Sequence, residues 1–351
     1  MKKKLTNISV WSRIAESNAK FLFFPITLFY WGIVFWRNVF YNFGFFITRK
    51  APSRIISVGN ITAGGTGKTP AVIYLAELLK KNHKIAVVSR GYGRKTAGTQ
   101  LVTDGSIPPN DWRNYGDEPT QIGLKLNGVP VVVDSNRYRG ALYAIKKFNS
   151  DIIILDDAFQ HRALEKDLDL VLLNSQAPSK SYKLIPNGLL REPLNHIKRG
   201  DAIILTKSNL ANIPPKILES IKKTGLPIFQ STLENVGFVS KDLKPFSLDS
   251  DESAVAVSAI ADPNSFHKSL KLANIKVASK LIYHDHYEFT DSDINTMKRA
   301  LKDHNASIVI TTEKDMVRLR DLNIDGIKIC ALRIKFELDK NGESYILDKI
   351  S

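Results

Sequence analysis

Residues 59–70, GNITAGGTGKTP, decide the fold of this chain. The stretch follows the β-branched run RIISVG at residues 54–59 and leads into PAVIYLAELLKK, which has the pattern of a helix. A glycine-rich loop between a strand and a helix, ending in Gly-Lys-Thr, is typical of the phosphate-binding loop of nucleotide-binding α/β proteins. Thr62 stands where the usual pattern has its first glycine, but the remaining glycines still let backbone N–H groups turn toward an anion.

We therefore expect this loop to hold the phosphates of ATP. Lys68 is expected to reach the β- and γ-phosphates, with the Thr69 hydroxyl on Mg²⁺. The expected nucleotide contacts are Thr62, Ala63, Gly64, Gly65, Thr66, Gly67, Lys68 and Thr69. A GTPase would need an N-K-x-D motif, which TKSN at 206–209 and TEKD at 312–315 only echo. Whether these two lie at the purine or in ordinary strand-end loops stays open.

The chain as a whole is predicted to be an α/β protein with a P-loop NTPase-type sheet. Apolar runs alternate with helical stretches, which favours a mostly parallel sheet covered on both faces. In the first part, strands are expected at residues 54–59, 84–90, 129–134, 151–157, 168–173, 202–206 and 227–232. A second, smaller α/β series is expected at 253–260, 275–283, 307–312 and 326–332. The polar stretch between the two series gives predicted units of 1–53, 54–235 and 236–351.

The run IIIL at residues 152–155 leads directly into two acids, Asp156 and Asp157. A phosphate loop needs a carboxylate at the end of a neighbouring strand to hold its metal ion. We therefore predict that these two side chains bind Mg²⁺ together with Thr69. His161 follows on the same turn, and a functional role and a polar loop role are equally open for it.

Two further groups of polar residues are candidates for acid–base chemistry. Asp117 and Glu118 open a predicted helix, where acids also serve as caps. The stretch HDHYE at residues 284–288 is compatible with acid–base use or with a simple polar loop. A zinc site is poorly supported, because Cys330 is the only cysteine and no HExxH spacing occurs.

The N-terminal segment is predicted to attach the protein to a membrane surface. Residues 21–47 are almost wholly apolar, and Arg37 divides them into runs too short to cross a bilayer comfortably. The formal net charge is +15, and residues 1–54 carry nine basic groups against one acid. Since basic residues flank the apolar run on both sides, we expect it to lie at the interface on anionic headgroups. A spanning helix and a helix packed on the protein are the alternatives.

Seven short motifs occur in an order that resembles one enzyme family. ITAGGTGKTP, VSRGYGR, GDEP, DDAFQHR, GLLREP, DHYEFT and TTEKD are spread between residues 58 and 315. Together they resemble the tetraacyldisaccharide 4′-kinase family of lipid A biosynthesis, in which the missing first glycine is usual. The resemblance implies transfer of the ATP γ-phosphate to the 4′-hydroxyl of tetraacyldisaccharide 1-phosphate, giving lipid IVA. It also implies action at the cytoplasmic face of the inner membrane of a Gram-negative bacterium.

The resemblance also implies roles for individual residues. Asp117 corresponds to the proposed general base and His286 to the histidine that assists it, with Lys68 and Asp157 completing the catalytic set. Other motif positions are expected to contact the substrate: Arg90, Tyr92, Glu118, Arg137, Arg191 and Glu192. Because Asp117 lies in the first part of the chain and His286 in the second, the cleft between them must close.

One alternative of a different class is a P-loop ATPase switch that cycles on the membrane. The phosphate loop and the metal acids would suffice for such a switch, but GDEP and DHYEF would have no role in it. Basic charge meant for nucleic acid is more usually spread over a polar face, so we expect no nucleic-acid partner. No motif points to an obligate protein partner.

Overall fold

The computed structural model describes residues 23–249 and 251–350, and the described part is built on one large sheet. Its strands are β1 (Arg54–Asn60), β2 (Ile85–Ser89), β3 (Gln100–Thr103), β4 (Val131–Val133), β5 (Ile152–Asp156), β6 (Leu168–Asn174), β7 (Ala202–Thr206), β8 (Ile228–Val239), β9 (Pro245–Phe246), β10 (Ser253–Ser258), β11 (Lys276–Ile282), β12 (Ile308–Thr312) and β13 (Ile329–Leu338).

The helices alternate with these strands along the chain, as expected of a crossover topology. They are α1 (Phe24–Asn42), α2 (Lys68–Leu79), α3 (Trp112–Tyr115), α4 (Asp117–Lys125), α5 (Arg137–Phe148), α6 (Pro215–Lys222), α7 (Pro263–Leu272), α8 (Asp291–Asp303), α9 (Glu313–Leu319) and α10 (Lys340–Ile350). Two 3₁₀ turns lie at Ser179–Ser181 and Leu194–Arg199.

The sheet is mostly parallel, and its strand order places the glycine-rich loop near the middle. The order is β11-β10-β12-β13-β8-β7-β6-β1-β5-β2-β4-β3, with β9 paired to β8. Pairing is antiparallel only for β13 with β8, β3 with β4 and β8 with β9. Since β1 lies between β5 and β6, the loop after β1 shares a sheet edge with the acids after β5. Ligands of open α/β sheets bind at this carboxyl edge.

Strand β8 joins the two parts of the sheet. Its first residues pair in parallel with β7, and its later residues, Ser231 to Val239, pair antiparallel with β13. The first residues of the polar stretch that we expected to separate the two series therefore belong to β8, which ends at Val239, and the predicted boundary at 235/236 falls inside this strand. The C-terminal helix α10 returns to the first part, where Ile346 and Ile350 share a buried cluster with Ile56. The division into 54–235 and 236–351 stays a prediction.

The predicted strands all appear in the structure, and two short strands were not predicted. Every predicted range overlaps one of the observed strands, and most ends agree within about three residues, but β8 and β13 continue well past their predicted ends, to Val239 and Leu338. Strand β3 has only four residues, of which two are buried, and β9 has two. Neither is long enough to give a periodic signal in the sequence.

Helix α1 covers most of the apolar N-terminal stretch and lies against the first part of the protein. The Tyr30 hydroxyl donates to the carbonyl oxygen of Arg191 over 2.8 Å, and Asn38 is buried. None of the helices in residues 23–249 and 251–350 is both long and apolar enough to cross a membrane. The basic residues predicted to flank this helix on its N-terminal side lie in 1–22, outside the described residues.

Candidate active site

Two glycines of the glycine-rich loop have left-handed backbone conformations. Gly64 and Gly67 have φ values of 110° and 82°, which residues with a Cβ rarely adopt. Gly67 precedes the first residue of α2, so the loop ends at a helix N-terminus. The Thr206 hydroxyl donates to the Thr66 carbonyl over 2.9 Å, and Asn60 Nδ2 donates to the Thr66 hydroxyl at the same distance. These contacts tie Thr66 of the loop to the ends of β1 and β7.

A cavity of about 720 Å³ opens beside this loop and is lined by both parts of the chain. Among the predicted residues, the cavity is lined by Gly64, Gly65, Thr66, Gly67, Lys68, Thr69, Arg90, Tyr92, Glu118, Arg137, Asp156, Asp157, Arg191 and His286. Thr62 and Ala63 are not among the lining residues, because they pair with the segment around Leu190. These two positions shape the loop from behind rather than facing the cavity.

Asp156 and Asp157 lie at the end of β5 in two different environments. Asp156 is buried, and Ser89 donates to its Oδ2 over 2.9 Å, whereas its Oδ1 has no hydrogen-bond partner. Burial, together with the charges of Glu118 and Asp157, raises the pKa of Asp156 to about 7. A cation bound at Oδ1 would favour the ionised form and satisfy the free oxygen.

Asp157 has an unusual backbone conformation, and its side chain pairs with two basic groups. Its φ is 50°, which is unusual for a residue other than glycine. Its Oδ1 lies 3.6 Å from Lys68 Nζ, and Arg191 Nη1 lies 3.0 and 3.1 Å from its two oxygens. Burial opposes ionisation, but Lys68 and Arg191 lower the pKa of Asp157 to about 2. The carboxylate is therefore charged and forms an ion pair with Lys68 of the glycine-rich loop.

Asp117 and His286 meet across the two parts of the chain. His286 Nδ1 lies 2.9 Å from Asp117 Oδ2 and 3.2 Å from Oδ1. The imidazole lines the cavity, whereas Asp117 is almost fully buried behind it and opens α4. Burial would raise the pKa of Asp117, but Lys314, His286 and Arg318 hold it well below its ordinary value. Asp117 therefore carries a charge that orients the imidazole.

His286 has a special backbone conformation and an aromatic neighbour at the cavity mouth. Its φ is 57°, in the left-handed region that non-glycine residues rarely occupy. The ring of Tyr92, 64% exposed, lies 5.2 Å from the imidazole between centroids. Both rings line the cavity, so the exposed face of Tyr92 is open to a ligand there.

Arg137 lies under the acidic edge and also faces the cavity. Its Nη1 donates to the Asp134 carbonyl over 3.1 Å and its Nη2 to the Asp156 carbonyl over 3.3 Å. Burial lowers the pKa of Arg137 to about 10, although the charges of Asp156 and Asp157 oppose that shift. The guanidinium therefore stays charged and offers a fixed positive group to an anionic substrate.

Glu192 occupies a place different from the one we expected. It is fully buried, does not line the cavity, and accepts hydrogen bonds on both oxygens from Arg199, at 2.8 and 3.1 Å. Arg37 and Asn38 of α1 each donate to it over 3.0 Å. Because its oxygens are occupied by the protein, the geometry supports an anchor for α1 rather than a contact with substrate.

The stretch HDHYE divides into a site residue and structural residues. His284 contacts the Asp285 carbonyl and packs edge-on against Tyr287, whose hydroxyl donates to Asp293. Glu288 pairs with Arg113 of the first part at 2.6 Å. In the residues that the structure describes, no three His, Cys, Asp or Glu side chains are placed to hold a metal ion by themselves.

His161 lines the cavity with a nitrogen, Nε2, that has no hydrogen-bond partner. Burial and the charges of Arg137 and Lys166 lower the pKa of His161 to about 4. The imidazole is therefore neutral near pH 7.

Three charged residues of the site were missed in the sequence. Lys314 and Arg318 of α9 contact Asp117 at 3.9 and 3.3 Å, and buried Lys207 pairs with Asp262 at 2.7 Å. Lys314 stands in TTEKD and Lys207 in TKSN, the two stretches left without a role. Only the three-dimensional contacts reveal what these lysines face.

Comparison with known proteins agrees with this geometry. The sequence model of the family described as tetraacyldisaccharide-1-P 4′-kinase, LpxK, matches residues 19–351. Tetraacyldisaccharide 4′-kinases of Halothermothrix orenii and Aquifex aeolicus are each 35% identical over 90% of this chain, which covers 84% and 94% of their lengths. A crystal structure of the "apo" form of LpxK from Aquifex aeolicus in complex with ATP has a TM-score of 0.77 and 33% identity, covering 94% of this chain and 98% of that one. The chain therefore belongs to the tetraacyldisaccharide-1-P 4′-kinase family.

Proposed function

We propose that this protein transfers the γ-phosphate of ATP to the 4′-hydroxyl of tetraacyldisaccharide 1-phosphate, forming lipid IVA. The observation that carries the proposal is that the phosphate loop and the Asp117–His286 pair open into one cavity. A phosphate loop alone would serve an ATPase equally well. The buried carboxylate that orients an imidazole beside this loop is what a hydroxyl acceptor requires.

ATP is proposed to bind with its phosphates against residues 64–69. The loop amides and the N-terminus of α2 favour an anion, and Lys68, the lysine of this loop, lines the same cavity. The Aquifex aeolicus relative was crystallised in complex with ATP, which supports the same ligand here.

Mg²⁺ fits the residues at the end of β5. Asp156 Oδ1 is buried without a partner, and the Thr69 hydroxyl belongs to the same cavity wall. Mg²⁺ prefers oxygen ligands, keeps several waters and is usually held by one or two carboxylates plus phosphates. We propose that Asp156, Asp157 and Thr69 hold it. When bound, the ion neutralises charge on the phosphate oxygens.

The transfer is proposed as an in-line displacement at the γ-phosphorus. The 4′-hydroxyl oxygen forms a bond to that phosphorus while the bond to the β–γ bridging oxygen breaks, and ADP leaves. The hydroxyl proton passes to Nε2 of His286, because Nδ1 faces Asp117. The sequence resemblance implied Asp117 as the base, but its burial favours the imidazole as the group that touches the hydroxyl. Asp117 then stabilises the imidazolium.

The anionic 1-phosphate of the acceptor is proposed to meet the arginines of the cavity. Arg137 and Arg191 both line it, and each is held by contacts to the acidic edge. Guanidinium groups recognise phosphate through paired N–H donors. Tyr92 and Glu118 are proposed to contact the sugars, and Arg90 the phosphates.

The protein is proposed to work at a membrane surface, on the cytoplasmic face where ATP is available. Four acyl chains hold the acceptor in a bilayer, since each buried CH₂ contributes about 0.8 kcal/mol. Helix α1 offers an apolar surface to reach it, with exposed side chains at Phe24, Ile26, Leu28, Phe29, Trp31, Ile33, Phe35, Trp36 and Phe40. Such a helix suits interfacial attachment.

The test follows the label of γ-³²P-ATP in the presence of Mg²⁺ and vesicles that contain tetraacyldisaccharide 1-phosphate. Label is expected on the lipid, and Lys68→Met is expected to lower its transfer by about 10² or more through loss of phosphate stabilisation. Lys81→Met, at an exposed position after α2, is the matched control and should transfer normally. Label that appears only as inorganic phosphate would favour the ATPase switch and contradict the kinase.

A further inference from the structure

Lys314 lies at the centre of a charge cluster that joins the two parts of the chain. Its ammonium is 2.9 Å from Glu118 Oε1, 3.6 Å from Asp285 Oδ1 and 3.9 Å from Asp117 Oδ2. The side chain lines the cavity, yet only 16% of it is exposed. It comes from α9, whereas Glu118 and Asp117 belong to α4. Three carboxylates thus surround one lysine at the cavity wall, next to the proposed acid–base pair.

The same ammonium also contacts the imidazole on its other side. Lys314 Nζ lies 3.5 Å from Nε2 of His286, while Nδ1 of that ring faces the Asp117 carboxylate at 2.9 Å. An ionised carboxylate can only accept a hydrogen bond, so the nitrogen that faces it must bear a proton. The hydrogen-bond network therefore assigns the ring proton to Nδ1. Nε2 then carries the lone pair of the ring, and the Lys314 ammonium lies beside it within donor reach.

We propose that Lys314 is a positioning residue for phosphoryl transfer, whose fixed positive charge lies beside both the Asp117 carboxylate and Nε2 of His286, the nitrogen that accepts the proton. Its ion pair with Glu118 also joins α9 to α4 next to the Asp117–His286 pair. The inference rests on the proposed function and adds a residue to that site.

The charges around the pair support this assignment. Burial would lower the pKa of Lys314, but Asp117, Glu118 and Asp285 hold it above its ordinary value. A second ion pair joins the same two helices with the charges reversed: Lys125 of α4 lies 2.8 Å from Glu313 of α9. The charged and titratable groups that face His286 are Asp117 of α4, Lys314 of α9, Asp285 of its own loop and Tyr92 of the loop after β2.

Arg318 is the other cation beside Asp117, but it cannot replace Lys314. It is almost fully buried, does not line the cavity, and its Nη2 donates to the Ala259 carbonyl over 2.9 Å and pairs with Asp315. Lys314 is the cation that reaches both the carboxylate and the imidazole. Its loss should therefore change protonation at the cavity, which the loss of a purely structural charge would not.

The test measures kcat/KM for lipid phosphorylation against pH in the full-length protein. Lys314→Met should lower kcat/KM at pH 7.5 by about 10- to 100-fold, less than the loss expected of a general base. Removal of a positive charge beside the imidazole favours its protonated form, so the acid limb should move to higher pH by about one unit. Lys314→Arg keeps the charge and should keep the limb in place, and ATP affinity should stay unchanged in both.

Two further variants make the result decisive. Lys271→Met, at an exposed position on α7, is the matched control and should leave the whole profile unchanged. Lys314→Gln is a second uncharged variant that keeps a hydrogen-bond donor toward Glu118, and it should reproduce the shifted limb if the methionine variant does not fold. A limb that stays at the wild-type pH in an uncharged variant overturns the positioning role, even if the rate falls. An unsubstituted protein that phosphorylates no lipid overturns the proposed function itself.

Discussion

Glu192 shows at the scale of one residue how a buried charge can be used for assembly. Two arginines, one asparagine and one histidine surround its carboxylate: Arg37 and Asn38 from α1, and His196 and Arg199 from the 3₁₀ turn. Burial would raise the pKa of Glu192, but His196, Arg199 and Arg37 hold it well below its ordinary value of 4.5. The charge therefore ties the N-terminal helix to the segment that carries Arg191.

Glu192→Gln is expected to lower the free energy of unfolding at pH 7 by a few kcal/mol, because two half-buried guanidinium groups lose their fully buried anion. A carboxylate with a depressed pKa stabilises the fold above its unfolded pKa and loses that contribution as the pH falls. The difference between variant and wild type should therefore shrink below about pH 4.5. Denaturant unfolding at pH 7 and pH 4 measures it.

The matched control is Glu165→Gln, since Glu165 pairs with Lys50 at the surface, where both side chains are largely exposed. Its effect should be under about 1 kcal/mol at either pH. Equal stability of Glu192→Gln and wild type at pH 7 would contradict the anchoring role.

At this scale, motifs predicted the residues that face the cavity better than those behind it. Lys68, Asp156 and Asp157 follow from a loop and a strand end, which are local patterns. The role of Glu192 and the contacts of Lys314 depend on residues more than 150 positions away, such as Arg37 and Glu118. No local pattern carries that information.

Helix α1 is the element whose surface differs most from the rest of the protein. One face contacts the core through Tyr30, Arg37 and Asn38, and the other is apolar and exposed. A contiguous exposed apolar surface marks an interaction site rather than chance. The polar contacts fix the helix on the protein, so its apolar face is presented in a fixed direction.

Replacing Phe29, Ile33 and Trp36 together by serine should weaken binding to anionic vesicles by about 10² or more, since each side chain contributes about 1.5–3 kcal/mol when buried. These side chains are 72%, 53% and 57% exposed, so the fold should tolerate the change. Vesicle sedimentation measures binding, and ATP affinity should not change.

The control replaces three exposed apolar residues elsewhere by serine: Val236, Leu272 and Ile282, which are 47%, 64% and 54% exposed. Vesicle binding should stay at the wild-type level in this control. Equal loss in both triple variants would show that general apolar exposure, and not α1, determines membrane affinity.

At the scale of elements, the sequence predicted where the strands lie, but it did not predict that β8 continues past residue 232. The long apolar runs of β1, β5 and β7 are buried on both faces, which gives an unmistakable pattern. The second half of β8 is half exposed and polar, so Glu234 and Asn235 resembled a linker. Pairing with β13, which lies almost 100 residues later in the chain, makes this stretch a strand.

For the whole molecule, the central feature is that two parts of one sheet meet over the phosphate loop. The first part supplies Lys68, Asp157 and Asp117, and the second supplies His286 and Lys314. The sequence predicted that Asp117 and His286, about 170 residues apart, must meet across the two parts, and the structure places them in contact. The sequence did not predict the way the parts are joined, since β8 runs through the predicted boundary.

The most direct test of this account is a double-mutant cycle on Asp117 and His286, measured as single-turnover transfer from ATP to the lipid. Asp117→Asn and His286→Ala should each lower the rate by about 10²–10⁴ while ATP still binds. Because the two residues act as one unit, the double variant should be no slower than the worse single variant. Losses that multiply in the double variant, or a single variant with the wild-type rate, would contradict a shared role for the pair.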